Sequence, residues 1–347
     1  MRINWLAYNF DPYDGYGRYG RHYVRALVRL GVSVTPLMLS QLDLPSWMQR
    51  AAGLDFSHLT ITCTPPYILE ALPGRQWSLS MTEGTRLPGG WAQKLNDHCE
   101  RVIVPCEHNR ETYERSGVEI PIHVLSGGTS PEEFPVVHRN GRYAPQNARP
   151  YTFLALGDRG ARKGWVEVWQ AFYKAFKTPE DTPDVRLMIK TRPHTNSLID
   201  RICGACRDPR ITFWLADVDS MADVYAWADC VAMPSRSEGW GMPHREAAMM
   251  SLPAIVLRYS GLDDGHTHEW AIPLEKMEPG PIPACAAYMR GEWMKADVDE
   301  LAGAMRWCYE NPQTARAIGR KAAKWLRNNQ TWMHSARGLV ELIGRYG

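Results

Sequence analysis

Pro234-Ser235-Arg236-Ser237-Glu238-Gly239-Trp240-Gly241-Met242-Pro243-His244-Arg245-Glu246 follows the apolar run Cys230 to Met233 and sets two carboxylates eight positions apart around a Gly-x-Gly turn. The run reads as a buried strand, and Pro243 suits the first residue of a helix, where its missing N–H costs nothing. Strand, glycine turn and helix start in that order mark the end of a strand in an open α/β sheet. There the glycines let bare backbone N–H groups approach a ligand, the helix N-terminus favours a phosphate, and carboxylates accept bonds from hydroxyls. A sugar joined to a phosphate fits that set. Taken singly, Glu246 is equally well an acid in a first helical turn, worth about 0.3 to 1 kcal/mol against the dipole, and Glu238 a solvated loop residue. The rest of the chain shifts that balance.

Strand-like runs alternate with helical patterns along the whole sequence, which predicts mostly parallel sheets with helices on both faces. The first series runs Ile3 to Tyr8, Val32 to Leu39, Leu59 to Thr62, Trp77 to Met81, Val102 to Val104 and Ile122 to Val124. A polar, loop-forming stretch from His138 to Pro150 reads as a linker. The second series runs Tyr151 to Ala155, Arg186 to Lys190, Ile211 to Trp214, Cys230 to Met233 and Ala254 to Leu257. Helices follow at Val298 to Glu310 and Pro312 to Asn329, with a last amphipathic stretch from Thr331 to Arg345. At 347 residues the chain exceeds what one core supports. The expected architecture is α/β, with two doubly wound, Rossmann-like domains over residues 1–145 and 146–329 facing a central cleft. A final helix over 330–347 is expected to pack back on the first domain. Ligands of such sheets bind outside the carboxyl ends of the strands, so facing domains make a shared site.

Composition excludes several function classes. Lys+Arg 40 against Asp+Glu 38 leaves a formal charge of +2, with no global attraction to nucleic acid or an acidic membrane. Met1 to Phe10 lacks the basic start and long apolar stretch of a secretion signal, and no run reaches the roughly 18 apolar residues of a membrane helix. The reading is a cytoplasmic protein without stable membrane insertion. Its eight cysteines are scattered through mostly apolar segments and read as reduced and buried. Cys203-Gly204-Ala205-Cys206 lacks the second pair of a zinc set.

Three further stretches carry chemistry. Gly15-Tyr16-Gly17-Arg18-Tyr19-Gly20 lies between the first strand and a helix to about Leu30, with Asp43 some twenty residues on, the spacing of an NAD-dependent oxidoreductase. Six residues from Asn9 to Asp14 separate strand from glycines, however, whereas the dinucleotide turn follows its strand at once. On the following helix Arg18, Arg21, Arg25 and Arg29 form one basic stripe, either a solvated face or a surface for an acidic acceptor. In Leu154-Ala155-Leu156-Gly157-Asp158-Arg159-Gly160-Ala161-Arg162-Lys163-Gly164-Trp165 a strand again ends in a glycine loop, here with three cations. A departing diphosphate needs such fixed positive charge, for which Lys163 is the first choice and Arg159 the second. In Met81-Thr82-Glu83-Gly84-Thr85-Arg86-Leu87-Pro88, Glu83 either orients an acceptor hydroxyl or caps the next segment. Asp217-Val218-Asp219 is placed as a helix N-cap at Asp219 or Ser220 rather than a metal site, and His266-Thr267-His268-Glu269 lacks a third metal ligand.

With Gly-Trp-Gly-Met-Pro between them, Glu238 and Glu246 resemble the E-x7-E signature of retaining glycosyltransferases of the GT-B fold, in the large family 4 group. The resemblance extends through Gly15 to Gly20, Val102-Ile103-Val104-Pro105-Cys106-Glu107-His108-Asn109, Gly127 to Phe134, Arg162-Lys163-Gly164 and Ser235 to Pro253. It implies a hexosyltransferase that moves a sugar from a UDP- or GDP-sugar to an acceptor hydroxyl, with retention and without a metal or further cofactor. Glu238, Lys163 and Arg159 would be catalytic. Gly17, Arg162, Gly239, Trp240, Gly241, Met242 and Glu246 would bind the donor, with Glu246 on the ribose, and Tyr16, Thr82 and Glu83 would face the acceptor. Asp158 stands where the family usually has its arginine, so Arg159 or Arg162 must substitute for it. The acceptor classes it leaves open are a saccharide, a lipid, a small metabolite and a modified base in DNA.

Overall fold

The computed structural model describes residues 1–38, 55–136, 149–156, 161–191, 206–283, 286 and 288–347. Asp43, Gly157, Asp158, Arg159, Cys203, Cys285 and nearly all of the stretch from His138 to Pro150 lie outside the described residues. The chain forms two compact units: Met1–Gly128 with Ile282–Gly291 and Gln330–Gly347, and Thr129–Pro281 with Glu292–Asn329.

In the first unit, strands β1 (Arg2–Ala7), β2 (Ser33–Met38), β3 (Thr60–Cys63), β4 (Gln76–Leu79), β5 (Arg101–Val104) and β6 (Ile122–Val124) form one parallel sheet in the order β2-β1-β3-β4-β5-β6. Five consecutive buried residues in β1 fit a strand covered on both faces. Pro36 is accommodated because β2 lies at the sheet edge, where a missing N–H breaks no ladder. Helices α1 (Gly15–Arg29), α2 (Trp91–His98) and α3 (Glu107–Arg115) make the crossovers.

In the second unit, β7 (Tyr151–Leu156), β8 (Val185–Thr191), β9 (Ile211–Leu215), β10 (Cys230–Met233), β11 (Ala254–Leu257) and β12 (Ile272–Leu274) are again all parallel, in the order β12-β11-β10-β7-β8-β9. From β7 the chain winds outward through β8 and β9, then returns to lay β10 on the other side. The strand order therefore reverses between β7 and β10, which is where ligands of such sheets bind. Helices α4 (Trp165–Ala175), α5 (Met221–Ala226), α6 (Met242–Met249), α7 (Val298–Glu310) and α8 (Pro312–Asn329) accompany the sheet around a core that includes Phe153, Val168, Phe172, Leu187, Val231, Ile255 and Met305.

Three features differ from the sequence reading. β12 is three residues long with Pro273 at its centre, too short to stand out as a strand and tolerable only at an edge. The antiparallel ribbon of β13 (Met277–Pro281) and β14 (Glu292–Ala296) is hidden by Pro279, Gly280 and Pro281, which read as loop. α6 opens at Met242, with Gly241 as its cap and Pro243 second rather than first. At α5 the N-cap is Ser220, whose hydroxyl accepts from the N–H of Asp223. The last helix, α9 (Trp332–Tyr346), belongs to the first unit, where Trp332 stacks on His22 of α1 at 5.0 Å and meets the edges of Tyr19 and Tyr23. Among the described residues no helix is long and apolar enough to cross a membrane.

Candidate functional site

The loops that leave β7 and β10 at the point of reversal are bound to each other by charge. Ala161–Lys163 form a 3-10 turn, and Gly164, at φ 67°, opens α4. A Cβ on Gly164 would come within 2.2 Å of the Pro234 carbonyl oxygen, so only glycine lets the turn sit this close to the β10 loop. There the N–H of Arg236 donates to the Arg162 carbonyl at 2.7 Å, and Arg236 Nε donates to Glu167 Oε1 at 3.1 Å. With its backbone fixed in this way, Glu238 lies between two cations. Lys163 Nζ donates to Oε1 at 2.6 Å, and Arg162 Nη1 donates to Oε2 and to the Ser237 carbonyl, each at 2.9 Å.

All three side chains are largely buried, Glu238 at 6% exposure and Arg162 and Lys163 at 15% and 14%. Burial alone would raise the Glu238 carboxyl. The charges and hydrogen bonds of Arg162 and Lys163 outweigh it and hold Glu238 well below the usual carboxylate range, ionised at neutral pH. The Glu238 main chain is fixed from a third side, since its N–H donates to Ser260 Oγ and its carbonyl accepts from the Gly261 N–H, both at 2.9 Å. Ser260 adopts φ 52°, uncommon for a residue other than glycine and a form of strain found at functional sites.

Glu246, eight residues on in α6, is buried and accepts from Tyr225 Oη at 2.9 Å. Gly239, Trp240, Gly241 and Met242 form the turn into α6, and the Trp240 ring carries the Arg245 guanidinium 3.7 Å from its centre. Ser235 Oγ, Ser237 Oγ, Trp240 Nε1 and both ring nitrogens of His244 are buried with no hydrogen-bond partner among the described residues. Burial first, then Arg245, depress the His244 imidazole well below its usual range, so it is neutral. Orphaned buried polar groups are rare in folded proteins, and five such atoms within ten residues single out this loop.

The remaining site residues named from sequence lie in the first unit. Tyr16 Oη donates to the Met81 carbonyl and accepts from the Met81 N–H, both at 3.0 Å, tying the start of α1 to the loop after β4. In that loop the Thr82 N–H donates to Asn109 Oδ1 at 2.6 Å, and Glu83 is half-buried. Gly17 gives its N–H to Asp14 Oδ2 at 2.9 Å, and a Cβ on it would lie 2.2 Å from Asn9 Oδ1 and 2.4 Å from the Asp11 carbonyl. The loop's own atoms thus occupy the space beside Gly17. Arg21, Arg25 and Arg29 are exposed on α1 and Arg18 is half-buried.

Sequence reasoning named Glu238, Lys163 and Arg162, which the fold brings together, and Arg159, which lies outside the described residues. It missed Arg245, Asp264 and Tyr225. A charged residue inside a helix buried from His244 to Met249 was a visible signal for Arg245, but its acidic partner, nineteen positions away in a loop, was not.

The family described as family 4 glycosyltransferase in conflict systems matches residues 109–339, more than half of the chain. The D-inositol 3-phosphate glycosyltransferase of Rhodococcus jostii (strain RHA1) is 36% identical over 94 residues, 22% of this chain and 21% of that protein. The serotype-specific mannosyltransferase WbdA of Escherichia coli is 29% identical over 111 residues, 30% of this chain and 13% of that protein. The chain thus aligns with about a fifth or less of the length of these relatives. Among solved structures, sucrose-phosphate synthase from Thermosynechococcus elongatus superposes with a TM-score of 0.76 at 15% identity, over 99% of this chain and 98% of that one. Anabaena HepE, in complex with UDP and glucose, gives 0.69 at 13% identity, over 99% and 100%. At these identities the likeness establishes the fold, GT-B.

Proposed function

Because the chain belongs to the family 4 glycosyltransferases of conflict systems, we propose that it moves a hexose from a UDP-sugar to an acceptor hydroxyl, with retention and without a metal. One observation carries this reading: Lys163 and Arg162 both hold the Glu238 carboxylate at the reversal point of the second sheet. Two fixed cations beside a glycine turn suit a diphosphate, and a carboxylate with further lone pairs suits sugar hydroxyls. A lysine ammonium has three donors, and Glu238 takes one of those of Lys163. It can bridge to a phosphate oxygen without leaving the acid that orients it.

In the proposed reaction the acceptor oxygen bonds to the anomeric carbon on the face from which the diphosphate departs. The bond from that carbon to the phosphate oxygen breaks, and the departing phosphate takes the acceptor proton. Lys163, Arg162 and Arg159 neutralise the charge that develops on the leaving group, Glu238 orients the sugar and Glu246 the ribose. Tyr16, Thr82 and Glu83 belong to the acceptor side. The UDP-sugar choice is supported by HepE, whose structure holds UDP and glucose; GDP-sugars are the competing donors. The exposed arginines of α1 favour an acidic acceptor.

The test is a panel of nucleotides and nucleotide sugars, read first as thermal stabilisation and then as release of free nucleotide. A ligand at a hundred times its Kd stabilises by about 2.7 kcal/mol. UDP and UDP-glucose are expected to stabilise the protein and NAD is not, and Lys163→Ala should lower turnover by about 10² to 10³. Stabilisation by NAD alone, or full turnover in a folded Lys163→Ala variant, would overturn the reading.

A further inference from the structure

Arg245 is wholly buried in the first turns of α6, yet its guanidinium points back at the turn that precedes the helix. Nη1 donates to the carbonyl of Trp240, to that of Gly241 at 3.1 Å and to that of Gly261 at 3.0 Å. Nη2 donates to Asp264 Oδ2 at 3.0 Å, and the guanidinium lies over the Trp240 ring. Asp264 is fixed in turn, because its Oδ1 accepts from the His266 N–H at 3.1 Å and from Thr267 Oγ1 at 3.3 Å.

In a trans peptide the C=O of one residue and the N–H of the next point in opposite directions, and no cis bond occurs among the described residues. Drawing the carbonyls of Trp240 and Gly241 onto one guanidinium therefore turns the N–H groups of Gly241 and Met242 away from it. Those are donors at a helix start, where the first N–H groups have no intrahelical acceptor. Carbonyl oxygens left to face outward would repel an anion at the same place. We propose that Arg245 is a positioning residue: by tying the carbonyls of the Gly239–Met242 turn inward, it aims that turn's N–H groups at the donor diphosphate. The inference rests on the nucleotide-sugar reading above and adds a residue which the E-x7-E resemblance did not include.

A merely structural role would weaken all ligands alike, so the test compares ligands with and without phosphate. Wild type, Arg245→Lys and the double variant Arg245→Met/Asp264→Asn are titrated with UDP and uridine, and with GDP and guanosine, after unfolding curves establish that each is folded. The double variant removes both buried charges, so that neither is left alone. Affinity of the double variant for the diphosphate should fall about 10- to 100-fold, as for loss of hydrogen bonds to a charged group, while the nucleoside changes by less than about twofold and Arg245→Lys falls between. Equal losses for nucleotide and nucleoside, or an unchanged diphosphate affinity, would overturn the role of Arg245 alone. A wild-type protein that binds neither UDP nor GDP would overturn the nucleotide-sugar reading, and this inference with it.

Discussion

Two glycine-flanked helix starts, α1 in the first unit and α6 in the second, look alike in sequence and differ in what fills them. At α1 the N-cap is Asp14, whose carboxylate takes the Gly17 N–H, and Asn9 and Asp11 close the space beside that glycine. At α6 the cap is Gly241, with no side-chain acceptor, while Arg245 pins the neighbouring carbonyls and two cations stand nearby on Glu238. The first end carries its own carboxylate, and the second has no side-chain cap and, in the proposed reading, takes the donor's phosphate instead. A glycine pattern alone does not separate the cases, since the distinction lies in the side chains that cap the helix.

The largest expected effect is on the charged cluster. Glu238→Ala takes from the buried Lys163 and Arg162 the carboxylate they share, which should cost about 3 to 5 kcal/mol in denaturant unfolding, with part of the loss restored by saturating UDP. Because Glu238 titrates lower in the folded protein than in the unfolded chain, its contribution is complete above the usual carboxylate range. It disappears as pH falls through the folded value. The gap between variant and wild type should therefore hold from pH 8 to about 5 and close in more acidic solution. A gap that widened on acidification would contradict the ion triad.

Gly164→Ala should cost about 1 to 3 kcal/mol, through the left-handed backbone and the clash with Pro234, and should weaken nucleotide binding by displacing Lys163. Asp14→Ala removes the cap of α1 and should cost about 1 kcal/mol with no change in UDP affinity. An altered affinity there would place the donor phosphate at the first unit and reverse the comparison. The smallest effect near neutrality belongs to His244. Its folded value lies below the ordinary imidazole range, so stability falls as pH drops beneath about 6.5, where the unfolded chain takes up the proton. His244→Met should flatten that slope by at most about 1.4 kcal/mol per pH unit, measured as melting temperature between pH 7.5 and 5.

Much of this was legible in the residues. The strand runs Cys230 to Met233 and Ala254 to Leu257 were read residue for residue because strands buried on both faces are continuous apolar stretches. The E-x7-E spacing and the Arg-Lys-Gly loop led to Glu238, Lys163 and Arg162. What escaped was non-local. The carbonyl oxygens that Arg245 gathers come from residues 240, 241 and 261, and the acid that neutralises it is Asp264. No period or motif relates those positions. The cap at Asp14 was present in the sequence but was read only as spacing between strand and glycines.

Calorimetric titration of wild type, Lys163→Met and Asp14→Ala with UDP and GDP tests most directly whether the second unit's cation-lined turn holds the donor. Wild type and Asp14→Ala should bind one of the two alike, and Lys163→Met should bind it at least about tenfold more weakly. Equal binding by wild type and Lys163→Met, or a loss confined to Asp14→Ala, would contradict a donor site at that turn.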